Sequence, residues 1–412
     1  MHMKYARLAQ FIRDYFIAIF SFLLIFLLTL FIYFETKRKA EERSQKMFDL
    51  RASQATEAIQ KRMLDYTQVL IGAKALFIAS DTVRRSDWHA YYRTLDLEKN
   101  YPGIQGFGYA LIVPQGELKA HEQQIRSEGF SDYSIYPKGD RPIYTSIIYL
   151  EPFSERNLRA FGYDMFSEPV RQSAMRIARD TRQPALSGKV RLVQEDGQDE
   201  QAGFLIYLPI YRDNDMPESI QDRQRLIQGF VYSPFRAKDL MSAVLGRNFD
   251  DIDIEVYDGA NLSRESLLFS TDSTLYYHTE HNRRFSKVST ITIGNRTWRL
   301  FITALPDFGR AADTELPYFI LMGGGLISLL MFFIIWSLSN TRRSNRLKQT
   351  ITDNATAALF MMDAKGYCTF MNPAAEEMTG YTFEEIRQRP LHDMIHYKHP
   401  DGTPYPLHEC PI

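Results

Sequence analysis

Two long stretches of this chain carry no charged residue, and they restrict its possible folds more than any other feature. Residues 15–34, YFIAIFSFLLIFLLTLFIYF, span about 30 Å as a helix, the thickness of a bilayer core. Residues 316–341, LPYFILMGGGLISLLMFFIIWSLSNT, form the second stretch. The core helix of a soluble protein seldom runs that far without a charge, so both read as membrane spans. Tyr15, Tyr33, Tyr318 and Trp336 stand near their ends, as interfacial aromatics do. A signal peptide would be shorter and would be followed by a small-residue cleavage pattern, so the first span reads as an uncleaved anchor. After the second span come Arg342, Arg343, Arg346 and Lys348, with no acid until Asp353, which places that side in the cytoplasm. Two spans then return the N-terminus, with Lys4, Arg7 and Arg13, to the same side. The loop 35–315 lies outside despite Lys37, Arg38 and Lys39, because long loops translocate largely regardless of charge. The expectation is a two-pass protein of the inner (plasma) membrane with both termini cytoplasmic.

The net charge of −1 gives no reason to expect nucleic acid as a partner. The 412 residues allow two or three domains. Both cysteines, Cys368 and Cys410, follow the second span, so the outer loop has no disulfide framework. A loop of that length can build a core without one.

No glycine or proline precedes Gly72, so the first span continues as a stalk helix through residues 35–84. Phe48, Ala52, Ala55, Ile59, Arg62, Tyr66, Val69, Ala73 and Leu76 step by four and three, a 3.5 period broken at Arg62, with Met63 beside it. Such a seam serves either a dimer or the packing of a long helix on its own domain; the homodimer is the expectation carried forward.

Helix and strand signals alternate beyond the stalk. SDWHAYYRTLDLEKNYPG is a helix from Ser86 to about Asn100, and GELKAHEQQIRSEGF is another. IQGFGYALIVP, YSIYP, TSIIYLEPF and RAFGYDM read as strands. A helix follows in SEPVRQSAMRIARDTRQP, with Ser167 as its cap, Pro169 early, and Val170, Ala174, Ile177 and Ala178 as its apolar stripe. KVRLVQ and GFLIYLPIYR suggest a hairpin around loop 196–201. A second set begins near Gln228 with GFVYSP, helix 236–246, DIDIEVYDG and KVSTITIGNRTWRLFITAL. These signals predict an α+β fold of two antiparallel sheets, a distal one over about 100–212 and a proximal one over about 226–305. After the second span (316–338) and a basic linker (339–350), residues 351–412 read as a hairpin turning at Lys365-Gly366, then short helices.

YPGIQGFGYA, IIYLEPFSERNLRAFGYDMFSEPVRQSAMRIARDTRQPALSGKVRLVQE and GFLIYLPIYR resemble the CHASE domain, the extracytoplasmic sensor of bacterial two-span receptors and plant cytokinin receptor kinases. The resemblance covers about 85–300. It implies a stalk helix, two PAS-like sheets in tandem and a small-molecule pocket in the membrane-distal one. In the plant receptors the stretch like YDMFSEP carries an aspartate and the stretch like ALSG a threonine, both lining the pocket. On that resemblance Asp164 and Ser187 become ligand-binding candidates, with Tyr149 and Tyr207 among the surrounding aromatics. A carboxylate accepts from ring N–H or exocyclic amines, and a hydroxyl donates or accepts. The alternative is that Asp164 pairs with a nearby arginine and Ser187 belongs to a turn. FMMDAKGYCTFMNPAAEEMTGYTFEEIRQRP resembles the first half of a PAS domain, and the chain stops before the last strands of such a sheet. Members of this arrangement continue into a histidine kinase or a diguanylate cyclase, which suggests a truncated two-component sensor.

No catalytic constellation stands out. GGG at 323–325 lies inside a span, where it serves close helix packing rather than phosphate binding. No metal spacing of Cys and His appears, and no cofactor is indicated. His121-Glu122 and His408-Glu409 are not read as phosphoacceptors, and Cys368 reads as a small apolar strand residue. The leading expectation is a ligand-sensing transmembrane receptor module. The rivals are a membrane-anchored extracytoplasmic enzyme using Ser187, which lacks a G-x-S-x-G elbow, and a ligand-free dimerisation anchor.

Overall fold

The uninterrupted start of the chain forms one helix, α1, from His2 to Ala79. The computed structural model describes residues 2–195, 197, 200–212, 217–271, 284–306, 308–309 and 315–409, the side chains of 2–14, Glu98, Glu155 and Arg247 excepted. Cys410 and part of loop 196–201 lie outside the described residues. The chain divides into two units, Ala40–Ala311 and Met1–Lys39 with Ala312–Ile412.

In the larger unit the 3.5-period seam is buried within the chain. Phe48, Ala52, Ala55, Ile59, Tyr66, Val69 and Ala73 pack into the same core as the two sheets. At the break in the period Met63 is buried and Arg62 half-buried. Burying Phe48, Ile59 and Tyr66 contributes on the order of 2 kcal/mol each. The seam is spent on the helix's own domain, so a dimer through these residues is ruled out. The helix runs on through Gly72, where the Tyr91 hydroxyl takes the space a Cβ would fill.

Beyond the stalk come α2 (Arg85–Leu95) and α3 (Leu97–Asn100), separated by Asp96 in the left-handed region; the single helix expected over 86–100 is broken there. Then follow β1 (Phe107–Pro114), α4 (Leu118–Ser127), β2 (Ile143–Glu151), α5 (Glu155–Leu158), α6 (Pro169–Thr181), β3 (Ala185–Leu186), β4 (Gly203–Tyr211), α7 (Ile220–Leu226) and β5 (Ile227–Arg236). The five strands form an antiparallel sheet in the order β2-β1-β5-β4-β3. β5, expected to open the second sheet, is the central strand of the first. It pairs with β1 through Gly108↔Tyr232 and with β4 through Tyr207↔Tyr232. The boundary expected near 226 therefore moves beyond Arg236, to α8 (Ala237–Leu245). YSIYP, RAFGYDM and KVRLVQ contribute only isolated bridges, Tyr136↔Tyr163 and Val190↔Gly203. At Gly162 the backbone is left-handed (φ 83°), so the second of these segments turns instead of extending. Glu168, not Ser167, caps α6: its carboxylate accepts from Val170 N and Arg171 N, each at 2.9 Å, while Ser167 donates to the Asp164 carbonyl.

The second sheet is β6 (Ile252–Asp258), β7 (Leu267–Ser270), β8 (Ser286–Ile293) and β9 (Arg296–Ala304), in the order β7-β6-β9-β8 and antiparallel throughout. The α+β architecture read from the sequence is the observed one.

In the smaller unit α9 (Leu316–Asp353) lies beside the start of α1. Phe22 meets Phe332 at 6.2 Å between ring centroids, and Tyr33 meets Tyr318 at 6.1 Å. A Cβ on Gly324 would collide with the Thr29 side chain, so this glycine sets the close approach. The PAS segment is β10 (Phe360–Met362), β11 (Cys368–Met371), α10 (Pro373–Thr379), α11 (Phe383–Ile386) and α12 (Leu391–Ile395). Its hub is buried Asn372. The side chain accepts from Leu359 N and Ala375 N and donates to the Thr352 and Ala357 carbonyls, tying the end of α9 to the hairpin. Cys368 is buried with Met371, Ala375, Ile386 and Leu391.

Candidate functional site

The faces of the distal sheet follow strand alternation. Tyr109, Phe204, Ile206, Val231 and Phe235 point to the stalk. Ala110, Leu205, Tyr207, Phe230 and Tyr232 point the other way, under Ala174, Met175 and Ala178 of α6.

Asp164 begins the 3₁₀ turn Met165–Ser167 on the α6 side and is fully buried. Its Oδ1 accepts from Thr145 N (2.8 Å), Thr145 Oγ1 (2.9 Å) and Phe166 N (3.0 Å). Its Oδ2 lies 2.8 Å from Arg141 Nε, an ion pair whose N–H is not aligned as a hydrogen bond. Arg141 also donates to the Pro137 carbonyl and lies 5.0 Å from the centroid of the Tyr144 ring. The carboxylate thus fastens the 137–141 loop and the 3₁₀ turn to β2. Of the two alternatives open to Asp164, pairing with an arginine is the one observed.

Ser187 is buried at the β3 edge. Its Oγ donates to the Gly188 carbonyl (2.8 Å) and accepts from Leu205 N (2.9 Å), while its own N–H donates to the Leu205 carbonyl. A hydroxyl held by two backbone groups, with no histidine hydrogen-bonded to it among the described residues, is not set up as a nucleophile. Beside it the β8–β9 turn grips β3: Asn295 Oδ1 accepts from Leu186 N (2.7 Å) and its Nδ2 donates to the Leu186 carbonyl (3.2 Å). Gly294 in this turn has φ 56°, and a Cβ there would stand 2.8 Å from the Pro184 carbonyl.

Tyr207 is buried beside Met165, and among the described residues its hydroxyl reaches only Met165 Sδ at 3.4 Å, a weak acceptor. Tyr232, beside it, has a buried hydroxyl with no partner among the described residues. Burial pushes both phenols far above the ordinary range; Arg171 opposes the rise, and for Tyr232 the neighbouring Tyr207 adds to it.

Tyr149 lies on the other face. A bulge in the β1–β2 register turns it toward the stalk opposite Tyr109, with ring centroids 6.0 Å apart. It donates to the Val83 carbonyl (2.8 Å). Clefts of about 390 and 580 Å³ flank it, and neither is lined by Asp164 or Tyr207. The structure puts Asp164 and Tyr207 on the same side of the sheet, with Met165 between them, sets Ser187 at the sheet edge and places Tyr149 on the opposite face. Sequence reasoning missed Arg141 and Tyr232. The signal for Tyr232 was Gly108: its direct β5 partner is Tyr232, whose ring fills the space a Cβ would take.

Residues 81–269 match the CHASE domain family, and residues 346–411 match the PAS fold. The chain carries a CHASE–PAS sensor module. It is similar to the hybrid signal transduction histidine kinase A of Dictyostelium discoideum, with 22% identity over 294 residues, 62% of this chain but 13% of that protein. Among solved structures, the periplasmic sensory domain of the Campylobacter jejuni chemoreceptor Tlp1 aligns with 67% of this chain and 99% of its own, at 9% identity and a TM-score of 0.39. The CHASE match takes in the whole distal sheet and the first two strands of the proximal one.

Proposed function

We propose that the chain is the sensing part of a two-pass receptor of the inner (plasma) membrane. In this reading residues 35–315 face the outside, and a small molecule bound by the CHASE domain biases the stalk and the second span. The PAS segment passes that bias to an output domain of the histidine kinase or diguanylate cyclase type. The observation that carries the reading is the order along the chain. An uncharged helix precedes the CHASE match at 81–269, a second uncharged helix follows it, and the PAS match at 346–411 comes last. The basic residues after the second helix support the orientation. Alkaline phosphatase fusions test it: activity is expected after residue 130 and not after residue 350, and the reverse pattern would sink the topology.

For the ligand, the α6 face of the distal sheet is the first candidate, with Tyr207 and Tyr232 as its interior polar groups and Asp164 acting through Arg141. An unpartnered buried hydroxyl is a standing cost that a polar guest removes. Homodimerisation belongs to the same reading, on a different face of the stalk. Leu50, Leu64, Ile71 and Ile78 recur at multiples of seven on its outer surface and are exposed. Sedimentation of the full chain in detergent is expected to show a dimer that Leu64→Glu with Ile71→Glu dissociates.

A further inference from the structure

The stalk-facing side of the distal sheet carries an independent feature. Where α1 ends, a cleft of about 580 Å³ opens between Phe77, the loop that follows the helix, and the sheet. That is an ordinary size for a small-molecule pocket. Tyr109 lines it; this residue is 2% exposed and its hydroxyl has no hydrogen-bond partner among the described residues. The ring is fixed, 4.3 Å from the Phe77 centroid, with its hydroxyl 2.5 Å from where a Cβ on Gly229 would stand. Only glycine at 229 lets the phenol lie there.

The rim is polar and unspent. Asp81 and Arg212 both line the cleft, with opposite charges, and neither makes an ion pair among the described residues. The amides of Gln124 and Gln228 line it too and make no side-chain hydrogen bond among the described residues. A carboxylate takes an ammonium, a guanidinium takes a carboxylate bidentately, and aromatic walls take an apolar body. An anion alone would meet Asp81 and a cation alone would meet Arg212.

We propose that this cleft is a second binding site of the distal module, which takes a small zwitterion carrying an apolar group. Its ammonium meets Asp81, its carboxylate meets Arg212, and a polar atom reaches the Tyr109 hydroxyl. The occupant ties the segment after the stalk to the β4–β5 end of the sheet, so occupancy bears directly on the stalk. The site lies across the sheet from Tyr207 and stands whether or not the α6 face binds a ligand.

Isothermal titration of the full chain in lipid nanodiscs tests the assignment, with L-phenylalanine, L-leucine and glycine betaine as probes and N-acetylated and C-amidated amino acids as controls. At least one free zwitterion is expected to bind, and blocking either of its charges should weaken binding about tenfold or more. Asp81→Asn and Arg212→Gln should each cost about tenfold without lowering the melting temperature, since neither side chain has an ion-pair partner among the described residues. Tyr109→Phe should cost about fivefold, and Tyr232→Phe nothing. The assignment is overturned if no probe binds at about 10 mM, or if binding survives both charge substitutions. Loss in Tyr232→Phe alone would overturn it too and place the ligand on the α6 face.

Discussion

The two faces of the distal sheet are built alike and finished differently. Each has a glycine on one strand under a tyrosine from the neighbouring strand: Gly108 under Tyr232 on the α6 face, Gly229 under Tyr109 on the stalk face. Each leaves a buried phenol without a hydrogen-bond partner among the described residues. On the α6 face the 3₁₀ turn and α6 close over the tyrosine, and Asp164, with Thr145 and Arg141, holds that cover down. On the stalk face the covering helix ends near Tyr109, and the loop after it leaves a cleft with Asp81 and Arg212 at its rim. A buried hydroxyl alone therefore does not mark an open site. What lies over it decides, and that depends on where a helix stops.

The comparison can be broken most severely at Asp164. Asp164→Ala strands the Arg141 guanidinium and the buried Thr145 N–H, while Phe166 N keeps Thr145 Oγ1 as acceptor, and about 3 kcal/mol of stability should be lost in urea unfolding. A loss under about 1 kcal/mol would mean that the carboxylate does not hold the α6 cover and is free for a ligand. Next is Gly108→Ala, whose Cβ would stand 2.7 Å from both the Tyr149 carbonyl and the Tyr232 ring. Overpacking there should cost about 2 kcal/mol, and an unchanged melting temperature would show that the α6 face has room to spare.

A smaller effect is expected at His121, which is buried behind β2 with Nε2 2.9 Å from Ser146 Oγ and 3.2 Å from Tyr133 Oη. Burial lowers its pKa from 6.5, only partly offset by Glu122 and Glu128. The folded state resists the proton that the unfolded chain accepts at about 6.5. Stability is therefore full above that pH and falls as pH drops from there toward the folded pKa. Thermal melts at pH 7 and pH 5 should show the fall in the native chain and a reduced one in His121→Gln; equal slopes would remove His121 as the cause. The smallest change belongs to Tyr232→Phe, expected to leave stability unchanged or raise it by up to about 1 kcal/mol. A clear loss instead would reveal a water or other partner on the hydroxyl, and the α6 face would be wet, not sealed.

Much of this was legible in the residues. The uncharged runs, the α+β pattern, the β8–β9 hairpin and the PAS hairpin with its Asn372 cap are local, and local periodicity reports them. The site was less legible. Asp164 was visible as a polar residue at a helix rim, but its pairing with Arg141 needed the 137–141 loop to fold back, a long-range contact with no spacing rule. Tyr149 was legible only as an aromatic near the candidate pocket; which face it takes depends on a bulge at Tyr109/Ala110 that inverts the alternation beyond it. β5 was placed in the wrong sheet for a similar reason: an antiparallel strand reads the same whichever sheet it joins.

The sequence by itself determined where the chain is apolar enough to cross a membrane, where helices and strands form, and which domain families it resembles. Those properties depend on composition and on periods of two and of about three and a half residues. Only the tertiary structure decided which way the stalk seam faces. An apolar stripe lowers its free energy equally against a second chain or its own sheets, and here the sheets are tethered to it and cover it first. The same holds for the two buried tyrosines: their chemistry is identical in sequence, and only the elements packed above them make one a core residue and the other the wall of a cleft.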